Sequence, residues 1–128
     1  MYNETDDMHS RVSGGRDNLA GHGDGVTDSE DIESYASVSG GESNIATGLD
    51  ALVSGGKDNV ASGTHATVAG GINNLASKSY SAVAGGHSNK ASGRAATVSG
   101  GKKNTSSGNE SSVSGGRRIR PVAYPHLF

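Results

Sequence analysis

The chain has 128 residues, a formal net charge of −2 and no cysteine, and Leu, Ile, Val and Phe together number only 20. That supply is too small for the core of an ordinary α/β enzyme. It also excludes a membrane span, since no apolar run approaches 18 residues, and it excludes disulfides and thiolate metal sites.

In chain order, residues 1–10 read as an N-terminal arm. Residues 1–30 show no basic n-region, apolar h-region or small-residue cleavage site, so no secretory signal peptide is expected in this stretch. Val12-Ser13-Gly14-Gly15, with Asn18 and Ala20, is a first copy of a motif that recurs 26 residues on. The extra residues, about 22–33, are acidic (Asp24, Asp28, Glu30, Asp31, Glu33) and are expected to form a loop inserted into the repeat. From there the motif keeps a 15-residue period at Val38, Val53, Val68, Val83, Val98 and Val113. Each valine is followed by a small residue and a Gly pair. Asn44, Asn59, Asn74, Asn89 and Asn104 stand six residues after a valine, and Ala46, Ala61, Ala76, Ala91 and Ser106 two further on. The repeat array spans 11–116, and residues 117–128 form a tail in which Ile119 stands at the Asn position.

Gly and Ser make up about a third of the chain, which ordinarily signals a linker. A flexible linker has no reason to hold a 15-residue register, and such a register is the mark of a repeat architecture. Around each valine the residue types alternate with period 2, as in Ala66-Thr67-Val68-Ala69, and the Asn59-Val60-Ala61-Ser62 arm alternates likewise. Each arm therefore reads as a strand of about four residues. The Gly pair supplies a turn requiring positive φ, and a later glycine such as Gly63 starts the second turn. The expected fold is all-β: a parallel β-roll or solenoid of 15-residue coils stacked about 4.8 Å apart.

The inward set per coil is Val, Ala or Ser, Asn and Ala, with Asn forming a side-chain amide ladder. One chain buries little by this means, so a homo-oligomer is expected. Its shared axis would lie at the valine column or at the column of Ile45, Val60 and Leu75. The columns beside the valines (Ser37, Leu52, Thr67, Ala82, Thr97, Ser112) suit an outer sheet face.

The V-[SA]-G-G-x-x-N-x-A-x-G pattern resembles the head repeats of trimeric autotransporter adhesins, the Yersinia-adhesin-like head. It covers residues 34–116, with 11–21 as a lone copy. The resemblance implies a left-handed parallel β-roll, a homotrimer about a common axis and a cell-surface position on a bacterial outer membrane. It also implies attachment to host cells, matrix protein or glycan. Val-Ser-Gly-Gly or Val-Ala-Gly-Gly stands where the collagen-associated head is richer in V-A-I-G, so collagen is not carried over. The reading from a different class is a structural spacer or fibre segment of a surface or virion appendage, with no ligand site.

Residue chemistry adds one candidate partner surface. Lys102, Lys103, Arg117, Arg118 and Arg120 cluster near the C-terminal end, and residues 1–50 hold 11 acids against 2 bases while residues 51–128 hold 2 acids against 9 bases. A charge-polarised rod follows, whose basic end suits polyanions such as sulfated glycans. Nucleic acid is disfavoured because no aromatic platform accompanies the charge. The acidic insertion lacks EF-hand spacing and reads as a solvated loop. The histidines (His9, His22, His65, His87, His126) read as surface residues at unrelated repeat positions. An ice-binding array would need two threonine columns, and Thr67 and Thr97 alternate with Leu52, Ala82 and Ser112. No catalytic residue and no cofactor are expected, because no column carries a convergent acid, base or nucleophile.

Overall fold

A computed structural model describes residues 3–5, 9–21 and 35–121. No helix occurs among them; parallel strands stack into a β-solenoid of about six turns, 15 residues per turn. One sheet runs through the valine arms: β2 (Arg11–Val12), β4 (Ser37–Val38), β6 (Leu52–Val53), β8 (Thr67–Val68), β10 (Ala82–Val83), β12 (Thr97–Val98) and β14 (Ser112–Val113). The other runs through the alanine arms: β1 (Glu4–Thr5), β3 (Leu19–Ala20), β5 (Ile45–Ala46), β7 (Val60–Ala61), β9 (Leu75–Ala76), β11 (Lys90–Ala91) and β13 (Thr105–Ser106). Register is strict, with Val38 beside Val53 and Ala46 beside Ala61. A third ladder of single-residue bridges links Arg16, Glu42, Lys57, Ile72, His87, Lys102 and Arg117.

The strands have two residues each, not about four. Corners take up the rest of the coil. In the typical coil three positions have positive φ: the second glycine of the pair (Gly71, φ 87), the residue two beyond it (Asn73, φ 57) and the residue three before the next valine (Tyr80, φ 60). Each such non-glycine residue turns its N–H back to the preceding coil, as in Asn73 N to Lys57 O (2.9 Å) and Tyr80 N to Thr64 O (2.8 Å). Its neighbours donate forward, as in Ile72 N to Gly86 O (2.9 Å). The corners thus satisfy backbone groups that a simple strand ladder would leave open. The second turn needs glycine for space instead of φ: a Cβ on Gly48 would lie 2.0 Å from Gly63 O. Lys78 breaks that column, and there Ser81 Oγ ties the turn by donating to Lys78 O (2.6 Å).

The inward set is as the alternation requires. All six repeat valines, the Ala columns and the Asn column are buried. In the coil where serines replace the alanines, Ser106 Oγ and Ser111 Oγ bond to each other at 2.6 Å, so the polar pair enters the core satisfied. The valine column is fully enclosed within its own chain, which corrects the expectation that it might line an axis shared between chains. Val68→Ala is therefore expected to cost about 2–3 kcal/mol, read as a lower urea midpoint; no change would mean the valine column is not the core.

The asparagine ladder also differs from a stack of side-chain amides. Asn74 Nδ2 donates to Gly70 O of its own coil (2.9 Å) and Gly86 O of the next (3.1 Å), while Asn74 Oδ1 accepts from Asn89 N (2.9 Å). Each side chain is pinned to backbone on both rungs, which holds the Gly turns in register.

Both ends continue the pattern beyond the valine motif. Asn3, 15 residues before Asn18, accepts from Asn18 N (3.1 Å), and β1 pairs with β3. At the other end Ile119 occupies the Asn position: its N–H donates to Asn104 Oδ1 (2.8 Å) and its side chain packs on the core. Pro121 follows, buried at the Ala position, where it has no N–H to donate back to the preceding coil. The acidic insertion, His22, His126 and the remainder of the tail lie outside the described residues.

Candidate functional site

The third ladder forms one corner of the solenoid, and the positive-φ residue after each rung member sits beside it. Side chains of both columns point to solvent, because the inward places are already taken by Val, Ala and Asn. From the N-terminal end the rungs read Arg16/Asp17, Glu42/Ser43, Lys57/Asp58, Ile72/Asn73, His87/Ser88, Lys102/Lys103 and Arg117/Arg118.

Charge is compensated at the N-terminal end. Arg16 Nε lies 3.2 Å from Asp17 Oδ2, and Lys57 Nζ reaches Glu42 Oε1 across one rung at 3.5 Å. The last two rungs place four cations together with no carboxylate in ion-pair reach among the described residues, and Arg120 follows, also exposed. The structure therefore brings Lys102, Lys103, Arg117 and Arg118 onto one corner. Lys102 N to Gly116 O (2.9 Å) and Arg118 N to Lys102 O (3.0 Å) fix their backbones.

Rungs stand about 4.8 Å apart. Two unit charges at that distance in water repel by about 0.9 kcal/mol, less in salt. A flexible anion could neutralise several of these cations at once, and the rigid backbone lowers the ordering cost of doing so. No aromatic ring stands in these two rungs. Among the described residues no group of three His, Asp or Glu is placed to hold a metal ion, and no helix is long and apolar enough to cross a membrane.

A second corner holds residues that sequence reasoning missed. His9 and His65 are not at unrelated positions: each stands three residues before a valine. The same column contains Tyr35, Asp50, Tyr80, Ala95 and Glu110. His9 stacks on Tyr35 with ring centroids 4.9 Å apart, His65 stacks on Tyr80 at 5.0 Å, and His65 Nδ1 lies 3.5 Å from Asp50 Oδ2. The signal was the valine-minus-three column, which varies in chemistry and so shows no consensus letter. Outward on the second sheet, Leu19, Ile45, Val60 and Leu75 are neighbours in register and half-buried, before Lys90 ends the apolar stripe.

No family model matches the chain, and no curated protein matches it. The functional reading accordingly rests on the geometry of these columns and on the repeat motif.

Proposed function

We propose that this chain is an adhesive surface module that works as a homotrimer and attaches through its basic C-terminal corner to anionic groups of host cells or matrix. The observation that carries this reading is the change along one corner, from paired charges at the N-terminal rungs to four cations in the last two that have no carboxylate partner among the described residues. The head-repeat motif supports a left-handed trimer displayed at a bacterial cell surface. The stripe of Leu19, Ile45, Val60 and Leu75 supplies the face on which copies would meet, since the valines are occupied internally. Three copies of the basic corner would bind a polyanion with avidity beyond that of one.

Two measurements test this. Sedimentation equilibrium of the full chain is expected to give three times 12.8 kDa, and Val60→Glu is expected to yield monomer. Solid-phase binding to a sulfated glycan is expected to fall at least about tenfold in the Lys102→Glu/Arg117→Glu variant, and with rising salt. Unchanged binding in that variant would overturn the basic corner as the site. No binding by the native chain to sulfated glycans or matrix proteins would favour a structural spacer or fibre segment instead.

A further inference from the structure

The second corner carries a different chemistry. Its residues have φ values near 55–60° at Asp50, His65, Tyr80, Ala95 and Glu110. Glycine or asparagine takes this conformation most readily, whereas other L-residues are disfavoured by about 1–2 kcal/mol. The sequence nonetheless places bulky rings there and leaves them exposed, Tyr80 at 58%. The same conformation recurs at every corner, where the N–H bonded back to the preceding coil holds it, as in Tyr80 N to Thr64 O (2.8 Å), so what sets this column apart is its exposed rings.

The stacking geometry indicates a role for them. His65 and Tyr80 have centroids 5.0 Å apart and planes inclined by 22°. That separation matches the rung spacing of about 4.8 Å, so the ring faces look along the solenoid axis. One face of Tyr80 is covered by His65. The other looks toward the rung of Ala95, where a methyl group leaves space, and Glu110 stands one rung beyond. The result is a slot about two rungs long, with Tyr80 at one end, Ala95 behind and Glu110 at the other end. Arg94 precedes Ala95 and is exposed; its backbone N–H is held by Asn109 Oδ1 (3.2 Å).

The geometry points to a subsite for a neutral pyranose ring of a glycan. An aromatic π-face accepts the C–H face of a sugar. Hydroxyls donate to the Glu110 carboxylate and accept from the Arg94 guanidinium. A cationic ligand would meet Arg94 and an anionic one Glu110, whereas a polyhydroxylated neutral ring satisfies both. This subsite lies on a corner separate from the Lys102–Arg118 cluster and does not depend on the polyanion reading.

The test is NMR of the full chain titrated separately with maltoheptaose, cellohexaose and chitohexaose up to about 10 mM. Saturable shifts centred on Tyr80, Ala95 and Glu110 are expected with at least one of the three. Tyr80→Ala should weaken binding by about tenfold or more. Ala95→Tyr, which fills the slot and extends the ring stack, should abolish it while leaving the fold intact. The Lys102→Glu/Arg117→Glu variant should bind the sugar as the native chain does. Absence of saturable shifts with all three sugars, undiminished affinity in Tyr80→Ala, shifts that survive Ala95→Tyr, or loss of sugar binding in the Lys102→Glu/Arg117→Glu variant would overturn the subsite.

Discussion

Asn74→Ala is expected to destabilise the chain by about 3–5 kcal/mol, well beyond an ordinary polar truncation. The side chain makes two donations, to Gly70 O and Gly86 O, and one acceptance, from Asn89 N, at 2.9–3.1 Å. Removing it leaves Asn89 N without its acceptor in a buried place and takes a donor from each of two glycine carbonyls. Gly86 O keeps its bond from Ile72 N (2.9 Å), so the effect is smaller than three complete losses. Asn74→Asp sharpens the test: it keeps an acceptor for Asn89 N but turns an oxygen toward two carbonyls, and its cost should be at least as large. Urea denaturation followed by circular dichroism measures both. A loss below about 1 kcal/mol for Asn74→Ala would show that the ladder does not hold the turns.

Gly71→Ala and Gly70→Ala, one residue apart, should differ sharply in stability. Gly71 has φ 87, and a Cβ there would lie 2.2 Å from Gly86 O and 2.6 Å from Asn74 Nδ2. Backbone of the next coil cannot yield without breaking register, so Gly71→Ala is expected to cost about 4 kcal/mol or more. A Cβ on Gly70 meets nothing within 4 Å, and Gly70→Ala should lie within about 0.5 kcal/mol of the native chain. Thermal unfolding midpoints of the two variants provide the comparison. Equal destabilisation would mean that the coil does not pack as closely as this geometry requires.

Much of the coil was legible because stacking converts structure into period. Val, Ala and Asn recur every 15 residues since every rung presents the same inward volume and the same turn. The alternation around Val68 correctly separated buried from outward residues. Strand length was overestimated, because the positive-φ corner positions are filled by residues as unlike as Asp58, Asn73 and Lys103 and leave no consensus. The basic cluster was legible as letters; that no carboxylate among the described residues reaches it, in contrast to the Lys57–Glu42 pair, is a property of the rungs. The His65–Tyr80 stack was hidden for the corner's reason: an exposed column tolerates many side chains.

What the residues alone determined is the repeat length, the inward set and the need for a glycine at the tight turn, all of which follow from local alternation and from backbone that only glycine can adopt. Only the tertiary structure decided that the valines are enclosed by their own chain, that asparagine bonds backbone instead of another amide, and that rings and charges from distant residues align on two separate corners. The physical reason is that a buried position constrains residue type by volume and hydrogen bonding, while a corner constrains only φ. Its neighbours across rungs become known once the coils are stacked.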